Sequence, residues 1–288
     1  MTLRILIAFD GSPAALRAVE LVAGYAGDAA QLSTALLNVQ SRPVSLWPGA
    51  GIDPGALDAA LIEAGRQGLE PALARLPGAR GEVRLGLPAD AIVQEARNHD
   101  AIVMGTRGAG LLHGYALGSV AMRVAHSAAS PVLLVKPDDR LPAALGKRVR
   151  VLLAMDGSAP ALRAAGKLIA WRGWLGELEV HMLYAQRPLT MLEALLPPHD
   201  DVIGQWSTQE GRERTQAARE LFREAGISQH LHLTVGDPAL ELRTLAAQTA
   251  ADLVALGTRG LGAAHHALVG SVALKAAVLC ELPVMLVP

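Results

Sequence analysis

The sequence predicts an α/β protein built of two tandem doubly wound domains, each a parallel sheet with helices on both faces. Two observations predict it. Short apolar runs alternate with helical stretches, a pattern that calls for a parallel sheet covered on both sides. The pattern is also written twice. "DGSPAALRA" (10–18) returns as "DGSAPALRA" (156–164), with seven of nine positions identical. "GLPADAI" (86–92) parallels "GDPALEL" (236–242), "DAIVMGTRG" (100–108) parallels "DLVALGTRG" (252–260), and "SPVLLVKP" (130–137) parallels "LPVMLVP" (282–288). The order is the same in both halves and the offset grows only from 146 to 152. A two-copy repeat of this length means two domains, not a solenoid. The expected division is domain 1 at 1–137, a linker at 138–147 and domain 2 at 148–288; the junction "PDDRLPAALGKR" (137–148) is polar and contains two prolines.

In the first half, "RILIAFD" (4–10) is a short apolar run ending at Asp-Gly-Ser, so a buried strand. Residues 13–26 carry helical periodicity through Ala14, Leu16, Val19, Leu21 and Val22. "LSTALLNVQ" (32–40) is a second strand, followed by a Pro- and Gly-rich loop over 41–55. Then come a helix to about Leu76, a strand near 82–87, a short helix at 88–97, the strand "AIVMG", a helix from Ser119 and the strand "PVLLV". The second half repeats this, with strands near 149–156, 178–185, 230–235, 252–257 and 283–287.

Composition narrows the function. Half of the residues are hydrophobic (51%), enough for a packed core in each half. Aromatics are only 3%, which argues against a base-stacking platform, and 26 basic against 27 acidic residues give no basic excess for nucleic acid or anionic lipid. The one cysteine, Cys280, excludes an intramolecular disulfide and reads as a packing residue. The N-terminus lacks a cleavage-site pattern, and no uncharged apolar run reaches the ~20 residues of a membrane span. A cytoplasmic protein is expected.

The chemistry lies in two glycine segments, "MGTRGAGLLHGYALGSV" (104–120) and "LGTRGLGAAHHALVGSV" (256–272). In open parallel sheets, ligands bind beyond the carboxyl ends of the strands where strand order reverses. Asp10-Gly11-Ser12 follows strand one and Gly105-Thr106-Arg107-Gly108 follows strand four. With those strands adjacent, both loops line one crevice. Gly105 and Gly108 are expected to let backbone approach a ligand and to take positive φ. Gly118-Ser119 opens a helix, with Ser119 either its cap or a hydroxyl donor to phosphate. Plain turns and a plain N-cap are the competing reading. The pattern is neither GxxxxGK[ST] nor a first-strand GxGxxG.

Gly105-x2-Gly108-x9-Gly118-Ser119 and Gly257-x2-Gly260-x9-Gly270-Ser271, with "AFDGS" or "AMDGS" on strand one and "PVLLV" or "PVMLV" last, resemble a tandem universal stress protein of the nucleotide-binding branch. The resemblance covers nearly the whole chain. It implies a five-stranded sheet of order 3-2-1-4-5 in each half, and ATP (or ADP or AMP) with Mg2+ in the crevice. In half one it places Asp10 near the ribose, Ala8 on the pocket wall and the Val39 backbone at adenine. Met104, Gly105, Arg107 and Gly108 would wrap ribose and phosphates, and Gly118, Ser119 and Val120 would hold the phosphates. In half two the matching residues are Ala154, Asp156, Ala185 (after Tyr184), Leu256, Gly257, Arg259, Gly260, Gly270, Ser271 and Val272. The resemblance further implies pairing through the last strand, as a pseudo-dimer within the chain or a homodimer.

Other candidates carry less. Asp10 and Asp156 could simply cap Asp-Gly turns. No metal site is expected: His265-His266 are adjacent residues, which chelate one ion poorly, and His113 stands alone. Trp171 and Trp174 read as covering a helix end or a domain interface. "RERTQAARELFREAG" (212–226) reads as a solvated helix face. No catalytic residue is expected, since no base for water and no carboxylate pair is visible. The expected function is a nucleotide-responsive stress or signalling protein with an unnamed protein partner. One alternative is an ATP-pyrophosphatase-like or weakly ATP-hydrolysing enzyme, against which the missing SGGxDS-like loop weighs. The other is a scaffold with vestigial pockets.

Overall fold

The structure, a computed structural model, describes residues 2–24, 32–42, 53–108, 117–143, 145–186, 200–260 and 269–288. The chain divides into two compact units, Met1–Asp139 and Arg140–Pro288.

Unit 1 runs β1 (Leu3–Ala8), α1 (Pro13–Ala23), β2 (Leu32–Gln40), α2 (Pro54–Arg75), β3 (Arg80–Leu85), α3 (Pro88–Glu95), β4 (Ala101–Gly105), α4 (Ser119–Ser127) and β5 (Val132–Val135). Its strands pair in the order β3-β2-β1-β4-β5, all parallel. Unit 2 runs β6 (Arg148–Ala154), α5 (Ala159–Ala170), α6 (Arg172–Leu175), β7 (Glu177–Gln186), α7 (Asp200–Glu224), β8 (Ser228–Val235), α8 (Pro238–Gln248), β9 (Leu253–Gly257), α9 (Ser271–Leu279) and β10 (Val284–Val287). Its order is β8-β7-β6-β9-β10, again parallel, so both units realise 3-2-1-4-5.

The central strands are apolar without alternation because helices cover both faces. Ile5, Leu6, Ile7, Ile102 and Leu134 are fully buried in unit 1, as are Leu152, Leu153 and Leu168 in unit 2. The outer strands β3 and β8 are partly exposed. Strand order reverses between β1 and β4, and between β6 and β9. That places the loops after those four strands side by side.

The boundaries differ from the sequence reading by a few residues. The first strand spans Leu3–Ala8, with Phe9 N still donating to Leu37 O just beyond it, and α6 is an additional short helix. Trp171 ends α5, where it is buried with Trp174 in an edge-to-face pair 6.3 Å apart, so the two rings do cover a helix end. Within the stretch expected to be a linker, Asp139 and Arg140 are each held by their own unit. Asp139 is fully buried, with its carboxylate accepting from Lys136 N at 2.7 Å and its carbonyl accepting from Arg17. Lys136 Nζ lies 2.8 Å from Asp139 Oδ1, a charge contact without hydrogen-bond alignment. Burial pushes the Asp139 carboxyl up while Lys136 opposes the shift. Arg140 N donates to Glu281 O in unit 2, so the division falls on one peptide bond. The loops expected at 41–55 and 188–201, together with His113, His265 and His266, lie wholly or mostly outside the described residues.

Candidate functional site

The strand-one loop is built the same way twice. Ser12 caps α1, its Oγ accepting from Ala15 N, and Ser158 caps α5 through Ala161 N. Each serine hydroxyl then donates across the crevice to the strand-four loop, at Arg107 O (3.2 Å) and Arg259 O (3.4 Å). Asp10 Oδ1 accepts from Ser12 N at 3.0 Å, and Asp156 Oδ1 from Ser158 N at 2.9 Å. So both aspartates do hold the Asp-Gly turn. Their second oxygens lie over the opposite glycines: a Cβ on Gly108 would sit 2.6 Å from Asp10 Oδ2, and one on Gly260 2.5 Å from Asp156 Oδ2.

The glycines serve a different purpose from the one expected. Within the described parts of the strand-one and strand-four loops, positive φ falls on Gly11 (78°) and Gly157 (79°), not on Gly105, Gly108, Gly257 or Gly260. Those four are needed for closeness. A Cβ on Gly105 would meet Ala14 Cβ at 2.7 Å, and one on Gly257 would meet Pro160 Cβ at 2.6 Å. The strand-four loops therefore press directly onto the starts of α1 and α5.

Ser119 does not cap its helix. The N-cap of α4 is Gly118, and that of α9 is Gly270, with no side-chain cap bond in either case. Each N-cap glycine is pinned by its own N–H, Gly118 N to Thr106 O at 2.8 Å and Gly270 N to Thr258 O at 2.7 Å. By contrast α1, α2, α5 and α8 are all capped by Ser or Asp side chains. Among the described residues no capping side chain satisfies the first-turn N–H groups of α4 and α9, which lie at the positive end of the helix dipole. Ser119 and Ser271 are exposed beside them.

In unit 2 these parts enclose a cavity of about 600 Å3. All ten positions expected from the sequence line it: Ala154, Asp156, Ala185, Leu256, Gly257, Arg259, Gly260, Gly270, Ser271 and Val272. In unit 1 the counterparts occupy the same places on their elements. Ala8 ends β1 and pairs with Leu37, as Ala154 pairs with Leu183. Val39 lies near the end of β2, Met104 and Gly105 end β4, and Ser119 and Val120 begin α4. Asp10 and Gly108 touch as described, and Arg107 is half-buried between them and Thr106.

The sequence reading missed residues from α7. Glu210 and Arg214 line the unit 2 cavity, although Arg214 falls in the stretch 212–226 that reads as a solvated face. They do form the i,i+4 ion pair that such a face carries, at 3.2 Å. Tyr184 stands beside them, and burial followed by the Glu210 charge pushes its phenol up. Gln186 also lines the cavity, and its Oε1 has no hydrogen-bond partner among the described residues. What the sequence could have offered is the register. Gly211 follows Gly65 by the same 146 residues as the strand-one repeat, and each glycine sits over one cross-strand pair, Asn38–Val83 or Tyr184–Leu233.

The universal stress protein family model matches residues 1–136 and again 148–288. The chain belongs to the universal stress protein family. It carries two such domains in tandem. Among curated relatives it is similar to a universal stress protein of Mycolicibacterium smegmatis, 29% identical over 222 residues, covering 72% of this chain and 67% of the relative. A Thermus aquaticus universal stress protein is 37% identical over 136 residues, covering 46% of this chain and 97% of its own length. The fold is also that of a solved universal stress protein from Archaeoglobus fulgidus, with a TM-score of 0.68 at 23% identity, covering 99% of this chain and 95% of that one. No helix among the described residues of the tandem universal stress protein is long and apolar enough to cross a membrane.

Proposed function

We propose that this tandem universal stress protein binds an adenine nucleotide, ATP with Mg2+, at the β1/β4 and β6/β9 switch points. Occupancy would then bias a surface read by a protein partner. The observation that carries the reading is the pair of helix N-termini without side-chain caps, each facing a glycine loop pressed against an aspartate. Backbone N–H groups at the positive end of a helix suit phosphate oxygens. Asp10 and Asp156 stand where a ribose hydroxyl would donate, and the unit 2 cavity has the size of a small-molecule site. A ligand that prefers one conformation shifts the population by its differential affinity, which needs no turnover.

The test is the nucleotide content of the purified protein after denaturation, followed by thermal melts with and without MgATP. Two nucleotides per chain support binding in both halves, and one supports binding in a single half. Gly118→Ala and Gly270→Ala then assign the halves, since each new methyl would sit 3.1–3.2 Å from a threonine carbonyl in the loop. No retained nucleotide and no thermal shift would remove the reading and leave a scaffold.

A further inference from the structure

Unit 2 carries a cluster of histidines that does not line the crevice cavity, on the sheet face opposite α7. Alternation along β7 sends Tyr184 toward α7, where it touches Gly211, and sends Glu179 and His181 to the other face. In the parallel ladder His181 is level with His230 of β8, and His232 follows two residues on. All four side chains therefore share one patch near the edge of the sheet.

The donor atoms converge. His181 Nε2 lies 3.3 Å from Glu179 Oε1, and His230 Nε2 lies 3.7 Å from the same oxygen. One donor atom from each of Glu179, His181 and His230 falls within 4.8 Å of the others. Donors about 2.0–2.1 Å from a tetrahedral zinc sit roughly 3.3–3.4 Å apart, so the first pair is already spaced for it. The His230 side chain is about half exposed (51%) and can rotate to close the second gap.

The surroundings orient these groups as a metal site requires. Glu179 Oε2 accepts from Arg148 at 2.9 Å and Arg150 at 3.1 Å, which fixes the carboxylate and turns Oε1 toward the imidazoles. His181 Nδ1 lies 3.0 Å from His232 Nε2. When His181 donates from Nδ1, its Nε2 lone pair faces Glu179 Oε1, and two acceptors confront each other unless a cation stands between them. A ligating histidine held by a hydrogen bond at its other nitrogen is the usual arrangement in metal sites.

We propose that Glu179, His181 and His230 form a binding site for a divalent transition ion of the zinc class, with His232 as the residue that positions His181. Two imidazoles and one carboxylate suit zinc, and three protein ligands leave a position for water. The site is separate from the nucleotide crevice.

The experiment uses the full chain, stripped with a chelator and titrated with zinc against a chromogenic competitor. The expected result is one saturable equivalent per chain. His230→Ala, at a half-exposed position, and the isosteric Glu179→Gln should each weaken binding about 10- to 100-fold while circular dichroism is unchanged. His126→Ala, on the exposed face of α4 in unit 1, should leave it unaltered. An X-ray absorption edge fitted by two imidazoles would support the assignment. No saturable binding, binding indifferent to His230→Ala, or equal loss in His126→Ala would overturn it.

Discussion

The two halves share one end of the crevice and differ at the other. The hydrogen bonds joining the strand-one loop, the strand-four loop and the N-cap glycine agree to within about 0.2 Å between units. Further out, Asn38 of unit 1 donates to Phe9 O and accepts from Gln40, whereas its counterpart is Tyr184. Gln186, the counterpart of Gln40, has an oxygen with no partner among the described residues. Among the described residues nothing comes within 4 Å of where a Cβ on Gly11 would point, while a Cβ on Gly157 would meet Arg214 O at 3.1 Å and Arg214 Cδ at 3.2 Å. Glu210 and Arg214 stand where unit 1, at the 146-residue offset, has Ala64 and Gly68. Duplication has thus kept the part made of backbone and rebuilt the part made of side chains. Tight backbone approach tolerates no change in size, whereas a wall of side chains can be replaced residue by residue.

The largest expected effect tests the shared end. Gly105→Ala and Gly257→Ala should each cost about 3 kcal/mol, the upper range for overpacking, because the new methyl meets Ala14 or Pro160 and backbone nitrogen at 2.9 Å. Urea unfolding measures both, and a loss under 1 kcal/mol in only one half would break the equivalence. Next come Gly11→Ala and Gly157→Ala. Both should lose about 1–2 kcal/mol from the left-handed backbone. Gly157→Ala should lose about 1 kcal/mol more, because Arg214 stands in the way. Equal losses would mean that Arg214 does not close this loop in solution.

A smaller effect probes the rebuilt end. Tyr184→Ala should weaken nucleotide binding in unit 2 about tenfold by removing an aromatic wall, and leave unit 1 unchanged. Calorimetry on a Gly118→Ala background isolates that half. The smallest effects concern the helix beside each crevice. In unit 2, Asp237 caps α8 and accepts from Lys275 of α9 at 2.7 Å; in unit 1 the same position is Leu87, exposed and without a cap bond. Asp237→Ala should cost about 1 kcal/mol, and Leu87→Asp should gain about as much. The Lys275 hydrogen bond holds the Asp237 carboxyl below the ordinary carboxylate range. A carboxyl depressed on folding stabilises above its unfolded pKa, and the gain is lost as pH falls through its folded value. The stability profile of Asp237→Ala should therefore be flatter than that of the parent in acid, from the ordinary carboxylate range downward.

Much of this was legible in the sequence because repetition reveals itself without a structure. The duplicated Asp-Gly-Ser, Gly-Thr-Arg-Gly and Gly-Ser segments mark where strands end and helices begin, while the strand order that brings them together came from the family resemblance. Ser119 misled because a serine at a helix start reads as a cap, and only coordinates separate the N-cap from the next residue. Arg214 and Glu210 stayed hidden because i,i+4 charges look the same whether they face water or a cavity. The Glu179–His181–His230 cluster was hidden for another reason. "EVH" and "HLH" are about 50 residues apart in the chain, and only the parallel register makes them neighbours. The period of two within each segment was visible, but its partner strand was not.

The glycine N-caps of α4 and α9 have one more consequence. A seat made of peptide N–H groups has no proton to gain or lose between acid and alkali. Anion binding there should follow the ionisation of the anion itself, with no inflection from the groups that receive it. A cell whose interior acidifies would find such a seat unaltered for as long as the chain stays folded.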